Sequence, residues 1–279
     1  WVTKSPMPTG RESMAAVVID GLIHVAGGLT SRSRLGAWLE VTGVLEIYDP
    51  KNNTWSTKTP MPTARAATAG GVVDGKLYVV GGSLLPDYTT QTTVEVYDPK
   101  TESWSSQIPM PTRRAEMAAG VVDETLYVVG GLQDNSGIVS VNEAFSPFLA
   151  VGIDIKPGDA RNTINLRSAG TVTVAILGSE TFDPLTVDPA TVTLAGAAVA
   201  SNPRGVPMTA QGDFNHDGYL DLLLHFRTQD LQLTPTSTEA VLYGTTVTGQ
   251  RIRGADSVRI VRALPRATTV RVQSPTTRK

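Results

Sequence analysis

One pattern recurs three times in the first half of this chain, and nothing else in its 279 residues constrains the fold as strongly. Trp1, Trp55 and Trp104 each precede a Pro-Met-Pro-Thr element, with the methionines at Met7, Met61 and Met110 and an arginine following at Arg11, Arg65 and Arg114. An apolar run then ends in a diglycine closing at Gly28, Gly82 and Gly131. The unit finishes with VLEIYDP, TVEVYDP and VNEAFSP, which place Glu46, Glu95 and Glu143 in matching positions. Self-similarity at this period is the signature of a repeated supersecondary unit whose copies bury their apolar faces against one another.

Within each unit, Val and Tyr alternate with small residues over four to seven positions, which is the period of a half-buried strand. Asp74-Gly75 is a hairpin signal. Asp49-Pro50 and Asp98-Pro99 end a third strand and turn the chain into the Trp-bearing fourth. Diglycine after a strand, Tyr and Trp at set distances and a Met-Pro-x-x-Arg turn together resemble the kelch repeat. The resemblance implies that each unit is a four-stranded antiparallel blade of a β-propeller, so an all-β fold class is expected with kelch-type blades over 1–148.

Under that reading the diglycines let blades approach where a Cβ would clash. Trp55 and Tyr97 are expected between adjacent blades. Arg65 and Glu95 should satisfy each other or backbone carbonyls, because a lone buried charge is costly. Three blades fall short of the four to eight of a closed propeller. The third ends at Phe148 without a Trp-bearing strand, whereas WVTKS at the start reads as an orphan fourth strand. Blades from elsewhere, or self-association of two copies through the open propeller edges, would complete the ring.

Landmarks of the first two units lie 54 residues apart, but Tyr48 and Tyr97 are separated by only 49, so unit one carries extra residues between its diglycine and its third strand. That loop, from Leu29, holds Trp38; the matching loops hold Asp87 and Tyr88, and Asp134 and Asn135. In kelch propellers such loops line a face used for partners, which makes Trp38 and Tyr88 candidate stacking residues for a protein or glycan ligand. Folding of the aromatic onto its own blade is the alternative.

After Leu149 the repeat stops. Short strand candidates separated by Pro, Gly, Asp and Asn (VGIDI, TVTVAILG, LDLLLHF, AVLYG, SVRIVR) read as a β-sandwich-like domain over 149–262. The string beginning IDIKPGDARNTINL and the later DFNHDGYLD resemble a module attached to secreted bacterial proteins, which implies an extracellular or cell-surface location. In DFNHDGYLD, Asp213, Asn215 and Asp217 present oxygens at alternate positions, Gly218 permits a sharp turn, the Tyr219 carbonyl can point inward and Asp221 follows. The twelfth position of the loop is Leu224 rather than a bidentate Glu. The segment therefore resembles the calcium loops of dockerin-like extracellular proteins, with an ion-free turn as the alternative.

Composition narrows the function classes. A formal net charge of -2 offers no general attraction to nucleic acid, and the eight basic residues from Arg251 onward, with no interleaved aromatics, read as a solvated Thr/Arg-rich tail over 263–279. Cysteine is absent, which removes disulfides, thiolate metal sites and cysteine nucleophiles. Apolar runs are too short for a membrane-spanning helix. The chain begins at Trp1, which points to a processed product or a piece of something longer. His24, His216 and His225 form no cluster. Copper radical chemistry, known in the kelch propeller galactose oxidase, would need a Tyr-Cys crosslink. The expectation is a non-catalytic binding or scaffold protein with structural calcium; the alternative is part of a secreted propeller enzyme acting on carbohydrate, with its catalytic residues outside this chain.

Overall fold

The structure, a computed structural model, describes residues 1–31, 39–134 and 137–261. It divides into two units, Trp1–Ser146 and Pro147–Lys279. Phe148 belongs to the second, its ring 5.3 Å from that of Tyr243.

The first unit holds three successive sheets. Blade one is built of Ala15–Ile19, Leu22–Ala26, Leu45–Asp49 and Thr54–Lys58. Blade two is built of Ala69–Val73, Lys76–Val80, Val94–Asp98 and Ser103–Ser106. Both are four-stranded, and neighbouring strands are antiparallel throughout. Blade three has three strands, Ala118–Val122, Thr125–Val129 and Asn142–Phe145. The first hairpin turns twice through Asp-Gly, whereas blade three uses Asp123-Glu124, with Glu124 at a positive φ of 58°. The Glu124 carboxylate accepts from the Asp74 N–H at 2.6 Å, so the less suitable turn residue also ties blade three to blade two.

Residues 1–6 form no strand, contrary to the orphan strand expected there. A fourth strand exists only by pairing with a third, and within this unit the segment has none beside it. It is held instead by Ser5, which donates from its N–H to Asn53 Oδ1 (2.9 Å) and from its hydroxyl to the Asn53 carbonyl (2.7 Å).

One set of contacts repeats at the seams between blades. Arg65 is fully buried. Its side chain donates to the carbonyls of Gly81 (2.7 Å), Val79 (2.9 Å) and Thr63 (3.0 Å) and pairs with Glu95, all in blade two or its approach. Its own carbonyl, however, accepts from Gly28 N–H of blade one at 3.0 Å. Arg114 repeats this, bonding Val128, Gly130 and Glu143 with its side chain while its carbonyl accepts from Gly82 N–H at 3.0 Å. Arg11 pairs with Glu46 at 2.8 Å in blade one. Burial lowers the pKa of Arg65, opposed by its bond to the Glu95 carboxylate, so the guanidinium is affordable only because its partners surround it.

The first glycine of the diglycine makes the seam possible. A Cβ on Gly27 would fall 2.8 Å from the Arg65 carbonyl oxygen, and one on Gly81 would fall 2.6 Å from that of Arg114. Rings and indoles complete the contact: His24 faces Tyr97 (6.3 Å between centroids), Tyr78 faces Phe145 (5.6 Å), and Trp104 Nε1 donates back to the Thr59 carbonyl at 2.8 Å.

The second unit is also all-β. A five-stranded sheet runs in the order Leu149–Ala150, Arg251–Ser257, Glu239–Thr245, Thr193–Leu194, Ala197–Ala198. A four-stranded sheet runs Ile153–Ile155, Thr171–Ile176, Asp221–Arg227, Thr209–Gly212. Alternate residues from both (Val174, Ile176, Leu224 and Phe226 from one, Leu194, Leu242 and Ile252 from the other) converge in a single core. No helix among the described residues is long and apolar enough to cross a membrane.

Gly81→Ala tests the seam. Gly81 has φ 56°, where an L side chain costs about 1–2 kcal/mol, and crowding against fixed backbone adds roughly 1–3 kcal/mol. The urea midpoint of the first unit should therefore fall by the equivalent of about 2–5 kcal/mol, while the second unit's transition stays in place.

Candidate functional site

Two regions carry the candidate side chains. The first is the set of loops that follow the diglycines. Loop one is a short hairpin, Leu29–Ser31 against Leu39–Val41; Trp38, the expected stacking residue, lies outside the described residues. Loop two pairs Ser83–Leu84 with Thr89–Thr90 and carries Tyr88 between them. Tyr88 is 57% exposed, so its side chain is not buried in the core of its own blade, the alternative placement.

Loop three is fastened to loop two by a residue whose role the sequence did not reveal. Asp134 Oδ1 accepts from the Thr90 N–H (2.9 Å) and hydroxyl (2.6 Å), and Arg113 lies 3.5 Å from Oδ2. The hydroxyl bond, the N–H bond and then the guanidinium hold the Asp134 carboxyl below the usual carboxylate range. Asp134 is thus occupied in positioning. One signal was available: Arg113 stands where the other repeats have Gly10 and Ala64, a departure from pattern that asks for a partner.

The second region is the Asp213–Asp221 loop, which joins the last strand of the four-stranded sheet, Thr209–Gly212, to Asp221–Arg227. Its residues fall into two groups. Asp213, Asn215 and Asp217 are brought together at the exposed turn. Asp213 accepts from the N–H groups of Asp217 (3.1 Å) and Gly218 (3.0 Å), Asn215 Oδ1 accepts from Asp217 N–H (3.2 Å), and Asp217 accepts from Tyr219 N–H (2.9 Å) and from Asn215 Nδ2 (2.8 Å). Positive φ at His216 (63°) and Gly218 (92°) curls the backbone around these oxygens.

Asp221 does something different. It is fully buried, and its two oxygens accept from Gly178 N–H (2.9 Å) and Phe214 N–H (2.8 Å), which pins the loop's start to a neighbouring strand end. Tyr219 has its side chain in solvent. Among the described residues, no group of three or more His, Cys, Asp or Glu side chains is clustered as a metal site. The donor set at the turn is instead two carboxylates and an amide, all hard oxygens of the kind calcium takes.

The family-model match falls on the first unit. Residues 10–62 and 64–111 match the family model for the kelch motif. The chain is 35% identical over 88 residues to an F-box/kelch-repeat protein of Arabidopsis thaliana, a match covering 32% of this chain and 20% of that protein. It is 34% identical over 82 residues to Kelch-like protein 40 of Xenopus laevis, covering 29% of this chain and 12% of that one. The matches thus span a fifth or less of the length of these relatives. A solved structure titled "Structure of YjhT" aligns over 93% of this chain and 84% of that one at 15% identity with a TM-score of 0.45, too remote to bear on the fold.

Asp221→Ala and Asp217→Ala separate the two roles in the loop. Removing Asp221 strands two buried N–H groups and should cost roughly 2–5 kcal/mol. Removing the exposed Asp217 should, with chelator present, cost less than about 1 kcal/mol. Chemical denaturation of both variants in chelator reads the difference directly.

Proposed function

We propose that the kelch repeats of the first unit act as a non-catalytic interaction platform, presenting the loops after the diglycines to a protein or glycan partner, and that the second unit carries a structural calcium ion in an extracellular setting. The observation that carries the platform reading is Tyr88: an exposed aromatic with no core role, in a loop held by the Thr90–Asp134–Arg113 clasp. A preorganised ring on a rigid scaffold offers stacking area at little entropic cost. The open blade faces make self-association part of the same reading.

Arrayed glycans and arrayed peptides probe the platform. For hits found with the unmodified chain, Tyr88→Ala should weaken binding by roughly tenfold or more. Its melting temperature should stay unchanged, because the side chain supports nothing beneath it. Retained affinity in the variant would remove loop two from the site.

Calcium would be held by Asp213, Asn215, Asp217 and the Tyr219 carbonyl, with Asp221 fixing the loop from below. The ion would neutralise crowded carboxylates and take no part in chemistry. At about one hundred times its dissociation constant, calcium should stabilise the second unit by roughly 2.7 kcal/mol. Thermal melts in millimolar calcium and in chelator test this on the full chain. Asp217→Ala should abolish the difference, and superimposable curves for the unmodified chain would leave the loop an ion-free turn.

A further inference from the structure

We propose that the cleft between blades one and two binds a small hydroxyaryl molecule, a phenol ring carrying no negative charge, through His24 and Tyr97.

The repeat shows how this seam departs from its neighbour. His24 stands where the other two units have Tyr78 and Tyr127, Tyr97 where blade three has Phe145, and Lys58 where unit two has Gln107. At the second seam a phenol ring, that of Tyr78, lies against Phe145 with 5.6 Å between centroids and is buried. At the first seam the shorter imidazole of His24 lies 6.3 Å from the Tyr97 ring, and both line a cavity of about 360 Å³. An apolar cavity of about 150 Å³ already holds a benzene ring. The second seam thus shows the kind of group that the first has room to admit.

Register builds the walls. On the face that blade one turns to blade two, His24 lies opposite Ile47 and Ile47 opposite Ser56 across the second, third and fourth strands. Ile19, Leu22 and Ile47 supply an aliphatic wall from blade one, and Tyr97 and Pro99 supply the facing wall from blade two. A planar ring has carbon on both sides.

Two buried polar atoms in this cavity lack partners. His24 Nδ1 lies 3.3 Å from the Leu22 carbonyl oxygen, and a carbonyl can only accept, so Nδ1 carries the ring proton and Nε2 is a bare acceptor. Burial lowers the pKa of His24, which keeps the imidazole neutral. The Tyr97 hydroxyl is stranded by a second departure from the repeat. Tyr48 donates its hydroxyl to Asn53 Oδ1 at 2.7 Å, but Glu102 stands at the Asn53 position and is paired with Lys58 across the seam. His24 and Tyr97 are 2% and 1% exposed, and among the described residues neither Nε2 nor the Tyr97 hydroxyl makes a hydrogen bond. One phenolic hydroxyl meets both needs, because it donates to Nε2 and accepts from the Tyr97 O–H.

The rim sets the charge. Asp20, Asp49 and Glu102 line the cavity against a single ammonium, that of Lys58, so a carboxylate on the ligand is repelled and an amine is favoured. Tyr88, Thr90 and Asp134 take no part in the lining, which separates this site from the partner loops.

Titration calorimetry of the full chain with phenol, tyramine, hydroxybenzoate and toluene tests the site. Phenol and tyramine should bind, and toluene, which keeps the ring without the hydroxyl, should bind about tenfold more weakly than phenol or worse. Hydroxybenzoate should bind more weakly than tyramine. His24→Tyr puts into the first seam the ring that fills the second, and should abolish phenol binding while the melting temperature holds or rises. Tyr97→Phe copies Phe145 and should weaken phenol several-fold without changing the circular dichroism. The proposal is overturned if phenol and tyramine fail to bind at millimolar concentration, if toluene binds as tightly as phenol, or if hydroxybenzoate matches tyramine. Unchanged phenol affinity in Tyr97→Phe, or in a folded His24→Tyr chain, would overturn it equally.

Discussion

The first unit depends on an arginine that belongs to two blades at once. The guanidinium of Arg65 or Arg114 is spent on carbonyls and a glutamate of its own blade, while the carbonyl of the same residue accepts from the glycine N–H of the blade before. A buried cation without partners would cost several kcal/mol, and breaking one member of such a pair commonly costs about 3–5 kcal/mol. The arginine is therefore fixed from both directions. Thr63 adds its N–H (3.1 Å) and hydroxyl (2.8 Å) to Glu95, so the carboxylate is held by backbone as well as by charge.

Around that clasp the requirement for closeness decides which residues are small. Gly70 faces Ala15 of blade one, and a Cβ on Gly71 would lie 2.5 Å from Leu126 of blade three. The inner strand of the middle blade is thinned on both sides because it has neighbours on both sides. Blades one and three each present one open face, and exposure follows neighbour number rather than sequence.

Much of this was legible in the sequence because a repeat makes each residue testify for its counterparts. Under the kelch resemblance Arg65 with Glu95, the diglycines and Tyr97 with Trp104 read as structural, and the structure places them at the seams, whereas Trp55 packs on Tyr48 of its own blade and donates to Ser5. The misses share a cause: they depend on which partner is present in space. WVTKS has a fourth strand's composition but no ladder to join. Asp221 reads as the last in a row of oxygen donors, yet burial commits its carboxylate to Gly178 and Phe214. Asp134 stands in the sequence only as a polar residue of the third loop, and in the structure it fastens that loop to the second. Tyr88 is exposed, as an aromatic in a polar loop with no core position would be, and Trp38 lies beyond what the structure describes.

Each repeat carries both halves of its seam: an arginine carbonyl directed backward and a glycine N–H directed forward. Duplicating one unit within the gene would insert a blade that accepts from its predecessor and donates to its successor, leaving no polar group orphaned at either junction. Blade number could therefore change in a single genetic step without compensating substitutions. The features free to diverge afterwards are those the seam does not use, which are the lengths and sequences of the loops beyond the diglycine.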